Sequence, residues 1–309
     1  VTLGKHSTDS DLLLQVLHCT WSTAFFCGDV ATALQDSREG IERYVPARHS
    51  WMGSVFGGHD PGVCAHGIQA QALSLSGFIA ESKKCFDEAL PLAELLKHPH
   101  SLAHFLMSGM VVYQLAGDHK GVQRIGERLI ELSDKYDFPP DRAHALMLSG
   151  YALTFGAEGE AGLEIMETAR ASAMGHLSRY YAALLAEARA KFGRVSDALT
   201  VLRSAIEIVK EPGIGFYVSE LYRLQGVCLL RLDSRKKEEA MSSLQMAVDI
   251  AKQQNAALLQ LKAAISLAEV ASSTGQPERG LQLLRDLCAN LPEGFNAPEL
   301  AEAERLLSI

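Results

Sequence analysis

The sequence predicts an all-α, right-handed α-solenoid of about seven helix pairs with a C-terminal capping helix. The 309 residues include only 10 prolines and 7% aromatic residues, and long stretches rich in alanine, leucine and glutamate favour helix over sheet. Hydrophobic residues make up 48% of the chain, so it can bury a core. A self-similar pattern also recurs about every 40 residues, as in arrays of stacked helix pairs.

The repeat is anchored on the turn inside each helix pair, where glycine suits the left-handed conformation that ends a helix. The anchors are Gly28, Gly77, Gly117, Ala157, Gly193, Asp233 and Gly275. Positions seven before and five, nine and twelve after each anchor are apolar or glycine, except Ser37 and Ser82, once a two-residue insertion in the sixth repeat is allowed for. Small residues there let two helices approach closely, so the pattern predicts the packed face of each pair.

The turns and the packed positions together place the helices. The predicted pairs are 10–27 with 30–44, 62–76 with 79–96, 101–115 with 119–135, 141–155 with 160–173, 177–192 with 195–209, 216–231 with 236–254, and 256–273 with 277–290. A last helix within 297–309, over about 298–308, would cap the apolar end that a solenoid otherwise exposes. We therefore expect 1–309 to form a single superhelical domain.

The composition argues against some classes of partner and predicts the compartment of the protein. The net charge of −8, without a block of like charges, argues against a nucleic-acid ligand, because phosphates need clustered Lys and Arg. No segment approaches 18 uninterrupted apolar residues, so no membrane association is predicted. The six cysteines are scattered without a CxxC pair, which predicts reduced, mostly buried thiols in a cytoplasmic protein.

The connection 45–61 is unusually long, and long ordered loops of repeat proteins often carry function. Its end, Phe56 to Cys64, reads FGGHDPGVC. This resembles a GGHDPGV signature in tetratricopeptide regions that follow a P-loop ATPase module in bacterial multidomain signalling proteins. Many of these carry an adenylate/guanylate cyclase homology domain, and others resemble the maltose-type transcriptional activators. Segments 182–188 and 219–226 are similar to the same family.

The segment 293–300, EGFNAPEL, resembles the closing EGFDTPDL turn of that family, with Asn296 and Ala297 as departures. The resemblance covers the chain from about residue 20 onward. It implies a tetratricopeptide-like superhelix with a regulatory, partner-binding role. Because the chain shows no GxxxxGK[ST] phosphate loop and no cyclase domain, the ATPase and cyclase activities of the family do not carry over to these residues.

In tetratricopeptide arrays the first helix of each pair lines the concave face. Counting back from each turn places these polar and aromatic residues there: His18, His104, Met107, Gln114, His144, Tyr151, Tyr180, Glu187, Glu220, Arg223, Lys262 and Glu269. Such a surface is typical of a peptide or ligand groove. The alternative is a hydrated concave face that simply tolerates polar residues.

Histidines suggest two metal hypotheses. His100 and His104 lie four apart on a helix but have no third ligand at helical spacing. His59, Asp60, Cys64 and His66 form a second cluster, yet Asp60-Pro61 is better explained as the N-cap and first turn of the next helix. We therefore predict no metal, no cofactor and, without a GxSxG elbow, no catalytic residues, and keep His59 and Asp60 as loop site candidates.

The sequence thus favours a non-catalytic protein-interaction or sensor scaffold of a bacterial signalling protein, binding a peptide, a protein segment or a second copy of itself. One alternative is a small-molecule effector site under the 45–61 loop. Another is a hydrolase that uses His59, Asp60 or a serine near that loop.

Overall fold

The computed structural model describes residues 9–170, 172, 177–207, 215–273 and 277–308, with the backbone alone at residue 279. Within these ranges the regular elements are helices, which confirms the all-α prediction. They are α1 Ser10–Cys27, α2 Val30–Arg43, α3 Pro46–His49, a 3-10 helix Ser50–Ser54, α4 Pro61–Leu75, α5 Ile79–Leu95, α6 Pro99–Leu115, α7 His119–Tyr136, α8 Pro139–Leu153, α9 Gly159–Ala169, α10 Ser178–Lys191, α11 Val195–Glu207, α12 Val218–Leu232, α13 Lys237–Gln253, α14 Ala257–Ser273, α15 Pro277–Ala289 and α16 Glu299–Leu307.

These helices pack as seven consecutive pairs in the described part of the chain. The pairs are α1 with α2, α4 with α5, α6 with α7, α8 with α9, α10 with α11, α12 with α13, and α14 with α15. First helices of neighbouring pairs also contact one another, and α16 covers α14 and α15 as the predicted cap. The right-handed solenoid is therefore confirmed, with boundaries close to those predicted.

Two differences from the predicted helices concern irregular segments. The 45–61 connection contains α3 and the 3-10 helix, which the sequence did not predict. The anchor Gly275 and the predicted helix ends at 208–209, 171 and 173 lie outside the described residues. Helix α9 ends at Ala169, earlier than the predicted residue 173.

The turns inside the pairs confirm the role of the glycine anchors. Gly28, Gly77, Gly117 and Gly193 all have positive φ values. After Gly28 and Gly117, an aspartate caps the second helix: Asp29 accepts a hydrogen bond from the backbone N–H of Thr32, and Asp118 accepts one from that of Gly121. Glycine ends one helix and aspartate begins the next, so the two-residue turn fixes the hairpin.

The packed positions of the repeat are buried as predicted. All are buried except Leu287, which is half-buried next to the cap. The backbones of α8 and α9 approach closely, because a Cβ atom on Gly162 would lie 2.5 Å from the carbonyl oxygen of Gly150. Only glycine permits that approach, which explains the glycine at both positions.

The superhelix curls until its beginning meets its later repeats. The backbone N–H of Gly215 donates to the carbonyl of Cys27 (3.0 Å), and the Phe216 ring packs on Phe25 with centroids 4.9 Å apart. The Gln254 side chain donates to the carbonyl of Gly215 (3.0 Å). The turn of the first pair is thereby fixed against the start of α12 and the end of α13.

A second closing contact joins the turn of the second pair to the segment before α16. The backbone N–H of Asn296 donates to the carbonyl of Gly77 (3.0 Å), and its side-chain oxygen accepts from the N–H of Ala80 (3.0 Å). Helix α5 has no side-chain cap from its own N-cap residue, Phe78. Asn296 therefore satisfies one of the unpaired N–H groups of α5 from more than two hundred residues away.

The cysteines differ from the prediction that they are mostly buried. All six are free, but only Cys64 and Cys228 are buried, while Cys19 and Cys27 are exposed. The exposed pair lies on the outward side of α1, because the inward positions of that helix are taken by large apolar side chains. Among the described residues, no helix has both the length and the apolar character that crossing a membrane requires.

We expect Gly77→Ala to destabilise the protein more than Gly117→Ala. Both residues have positive φ, which costs an alanine about 1–2 kcal/mol. A Cβ atom at Gly77 would in addition overlap the Phe295 ring, whereas at Gly117 nothing lies within 4 Å. Chemical unfolding should show a further loss of about 1–3 kcal/mol for Gly77→Ala. Equal losses in the two variants would contradict the closing contact.

Candidate functional site

The predicted groove residues all lie on first helices, as expected, but most are less accessible than an open groove implies. Gln114, His144, Tyr151, Tyr180 and Glu220 are buried. Three further predicted groove residues, His104, Glu187 and Arg223, are half-buried. In this conformation each buried side chain has a hydrogen-bond partner within the protein, and the part of these residues in binding a partner stays a prediction.

Polar side chains link four consecutive first helices in a continuous row. The Tyr151 hydroxyl of α8 donates to Glu187 of α10 (2.6 Å), which lies 3.6 Å from Arg223 of α12. Arg223 makes a two-pronged pair with Glu220 (2.7 and 2.9 Å), and Lys262 of α14 pairs with the same carboxylate (2.9 Å). We call Tyr151, Glu187, Glu220, Arg223 and Lys262 the polar ladder.

Exposure varies along the polar ladder. The side chain of Glu220 is 1% exposed, Arg223 12%, Lys262 19% and Glu187 31%. Glu187 is thus the most accessible member, and its 3.6 Å separation from Arg223 is longer than the other ion pairs of the ladder. Glu187 is the carboxylate that an incoming group could most readily reach.

The charges of the ladder hold each other ionised. Burial favours the neutral acid, but Arg223 and Lys262 outweigh it and lower the pKa of Glu220 to about 2. Burial opposes the charged forms of Arg223 and Lys262 too, yet the Glu220 carboxylate raises the pKa of both. Burial and the nearby Glu187 charge raise the pKa of Tyr151, so this phenol stays a hydrogen-bond donor.

Aromatic residues fill the centre of the superhelix beside this ladder. The Tyr180 hydroxyl donates to the Gln114 side chain (2.8 Å), and the Tyr180 ring packs edge-on against Tyr217 at 4.8 Å. Phe216 lies 5.4 Å from Tyr180 and joins this group to Phe25 of α1. Tyr180 and Gln114 therefore contribute to closing the superhelix.

The remaining histidine candidates contact residues outside the polar ladder. His144 is buried, and its Nδ1 lies 2.8 Å from the Tyr181 hydroxyl. His104 stacks flat on His59, with ring centroids 3.9 Å apart. His104 thus contacts the loop, and His144 contacts α10 of the next pair.

Asp60 has the predicted N-cap role. Its Oδ1 accepts from the backbone N–H of Val63 (2.9 Å), and its Oδ2 accepts from the Tyr44 hydroxyl (2.7 Å). Its own N–H donates to the Ser101 hydroxyl of α6 (2.8 Å). Burial raises the pKa of Asp60, while these donors oppose the shift. Asp60 ties the loop to α4 and α6.

A further histidine, His18, joins two residues of the cluster predicted around His59. His18 of α1, His59 of the loop and Cys64 of α4 have ligating atoms all within 4.8 Å of one another. His66, which the sequence grouped with His59, is not part of this cluster. His18 was predicted on the inner face, and the loop places His59 against it, with the two Nε2 atoms 3.1 Å apart.

Both histidines of the cluster are neutral at ordinary pH. Burial, with a smaller contribution from His59, lowers the pKa of His18 to about 3. Burial and the neighbouring His100 lower the pKa of His59 to about 4, against a hydrogen bond with the backbone of Gly57. Burial raises the pKa of the Cys64 thiol to about 11.

The outer side of the same loop is apolar and exposed. Trp51 is 52% exposed and Phe56 45%, with ring centroids 6.1 Å apart, and Val55 between them is also exposed. Met52 of the same segment is buried, which holds the loop against α1. Exposed apolar patches on a rigid support are typical of interaction surfaces.

Comparison with known proteins identifies the fold. No family model matches the chain. An uncharacterized protein of Rhizobium meliloti (strain 1021) is 27% identical over 280 residues, which is 87% of this chain and 26% of that protein. The chain therefore spans about a quarter of the length of this relative.

Solved structures with this fold are helical-repeat proteins of the tetratricopeptide type. Yeast Tom70 matches with a TM-score of 0.50 at 17% identity, over 99% of this chain and 56% of that one. Human IFIT1, a dimer with PPP-AAAA, matches with 0.53 at 16% identity, over 94% and 70%. The Cut9-Hcn1 assembly of the APC/C matches with 0.50 at 14% identity, over 95% and 55%. The chain is thus a tetratricopeptide-like superhelix.

We expect Glu220→Gln to destabilise the protein by about 3–5 kcal/mol, because it leaves Arg223 and Lys262 buried without their anion. Glu302→Gln is the control, since Glu302 pairs with Arg305 at the surface. That exposed pair should contribute little to stability, because solvent screens its charges. Urea unfolding of both variants measures the difference, and similar losses would contradict a stabilising ladder.

The stability of wild type and that of Glu220→Gln should also respond differently to acid. The folded-state pKa of Glu220 is lowered, so its stabilisation is present at neutral pH and is lost as pH falls from about 4.5 to about 2. The gap in melting temperature between wild type and Glu220→Gln should narrow over that window, because a protonated Glu220 resembles glutamine. A gap that stays constant would show that Glu220 is not charged in the fold.

Proposed function

We propose that this chain is a non-catalytic protein-interaction scaffold of a bacterial signalling protein, which binds a peptide or protein segment along its concave face. Residues 1–309 act in this proposal as a single superhelical domain. The observation that carries it is the polar ladder, because it places polar side chains across four consecutive first helices, and those on α10, α12 and α14 are ionised. Tetratricopeptide-like superhelices offer such a row to an extended segment.

The dimensions of the ladder fit a short extended segment. Neighbouring helices pack about 8–10 Å apart, so three steps from α8 to α14 span roughly 27 Å. An extended chain rises about 3.3 Å per residue, so roughly eight residues would cover that distance. The partner is therefore a peptide stretch or a loop of a protein rather than a single side chain.

The accessible member of the ladder indicates the charge of the partner. Glu187 is the most exposed member, and its link to Arg223 is long at 3.6 Å. A lysine or arginine of the partner could pair with Glu187 without disturbing the buried pair of Glu220 and Arg223. The exposed patch of Trp51, Val55 and Phe56 offers an apolar contact beyond the ladder.

Binding would be transmitted through the closing contacts. The superhelix is held closed by Gly215 and Phe216 against the first pair and by Asn296 against the second. A segment that favours one curvature shifts the balance between closed and more open forms. In a signalling protein this shift would pass occupancy to an attached output domain.

A matched pair of variants tests this proposal. Peptides are selected from a random display library on the immobilised wild-type chain, and their affinities are then measured for Glu187→Gln and for Glu164→Gln. Glu164 is exposed on the second helix α9, away from the ladder, whereas glutamine at 187 can still accept from Tyr151. We expect enriched peptides to carry lysine or arginine and to bind Glu187→Gln about tenfold more weakly, a loss of ~1.4 kcal/mol.

Affinity for Glu164→Gln should equal that of wild type, and circular dichroism should show both variants folded. Peptides that bind Glu187→Gln as tightly as wild type, or that lack basic residues, would place binding elsewhere. Failure to enrich any peptide would contradict the proposal as a whole.

A further inference from the structure

The cluster of His18, His59 and Cys64 combines the residue types of a transition-metal site. The three residues come from three separate elements: α1, the 45–61 loop and the first turn of α4. Their ligating atoms lie within 4.8 Å of one another. His18 and Cys64 are buried and His59 is half-buried, so the site opens to solvent on the loop side alone.

The two imidazoles face each other through the atoms that would bind a metal. Nε2 of His18 lies 3.1 Å from Nε2 of His59. In a tetrahedral zinc site, with bonds of ~2.0 Å to nitrogen and ~2.3 Å to sulfur, ligand atoms lie roughly 3.3–3.6 Å apart. The histidine pair needs little movement to reach this spacing, and Cys64 needs a modest approach.

Two polar side chains of α1 contact the sulfur of Cys64. The indole N–H of Trp21 donates to Sγ of Cys64 at 3.4 Å, and the Ser22 hydroxyl lies 3.7 Å from the same sulfur. Hydrogen bonds to a ligand from outside the coordination shell orient it and tune the metal. Both donors are on α1, one turn after His18, so one helix supplies a ligand and the support for another.

The histidine rings are held in place by their neighbours. His59 stacks on His104 at 3.9 Å with an interplanar angle of 13°, and His18 stacks on Trp21 at 5.2 Å. Gly57 has a positive φ, and a Cβ atom there would lie 3.5 Å from the His18 ring. The glycine lets the loop turn directly over the two imidazoles.

A hydrogen bond between two neutral imidazoles would account for His18 and His59 alone. It gives no reason for a cysteine within reach of both nitrogens, or for two donors directed at that sulfur. Two imidazole nitrogens with one thiolate form a ligand set that suits Zn²⁺. A metal here would depart from the sequence-based expectation that the chain holds none.

We propose that His18, His59 and Cys64 bind one Zn²⁺ ion, which fastens the 45–61 loop to α1 and α4. The fourth coordination position faces the open side of the loop and takes water or a donor from a partner. Because the same loop carries Trp51 and Phe56, the ion would set the position of the exposed apolar patch.

The test uses the tag-free full chain, reduced and stripped of metal with a chelator. Calorimetric titration with ZnCl₂ should give one ion per chain, and zinc should raise the melting temperature because it binds the folded form. Titration with Co²⁺ should produce the intense near-ultraviolet band of cobalt–thiolate bonding. Absence of stoichiometric zinc binding, or a cobalt spectrum without that band, would overturn the proposal.

Variants identify the ligands. Replacing a residue that only supports a metal ligand lowers metal affinity by about 10–100-fold. Cys64→Ser and His59→Ala remove ligands themselves, so their affinity for zinc should fall by more than that. Cys228→Ser, at an equally buried cysteine of α12, and His66→Gln, on the same helix as Cys64, should bind zinc like wild type. His59 is half-buried, so its replacement tests the site even where Cys64→Ser does not fold. Unchanged affinity in His59→Ala, or copper binding without zinc binding, would contradict a zinc site.

Discussion

Close approach of the two helices in each pair is the constraint on which the rest of this structure depends. Between α8 and α9 the backbones come near enough that only Gly150 and Gly162 fit. At Gly40 and Gly121, the missing side chains make room for the rings of Trp21 and Tyr113 on the partner helix of the pair. Each tight pair packs on the next at a small angle, and these angles accumulate along the chain into the curvature of the superhelix. The inner face, its polar ladder and the closing contacts all follow from that curvature.

The local structure was predictable because its causes are local. Glycine at the turns and small residues at fixed offsets specify hairpins whose helices share one face. Closure was not predictable in the same way, since small rotations between pairs accumulate along the chain. No pattern in the sequence relates Phe216 to Phe25, or Asn296 to Gly77, although the structure places each pair in contact. The departure noted at Asn296 turns out to be a cap.

The candidate site, too, was predictable in its local features but not in its tertiary contacts. Counting back from the turns placed Tyr151, Glu187 and Arg223 on one face, and the structure links them. Their burial could not be foreseen, because it arises from the curled shape and from charges that neutralise one another across helices. The approach of His59 to His18 and Cys64 depends on the path of an irregular loop, which periodicity does not describe. The repeat pattern thus predicted which residues share a helix face, and the closure of the superhelix determines which of their side chains contact one another.

The cap that Asn296 provides for α5 has a consequence for how the protein is made. In an open solenoid each pair can fold as it leaves the ribosome, because its contacts are with near neighbours. Here the N-terminal pairs lack their partners at Phe216, Gln254 and Asn296 until most of the chain has been synthesised. Such distant contacts slow folding relative to a purely local array. During translation the contact surfaces of the early pairs therefore stay exposed, and a chaperone could bind them in that period.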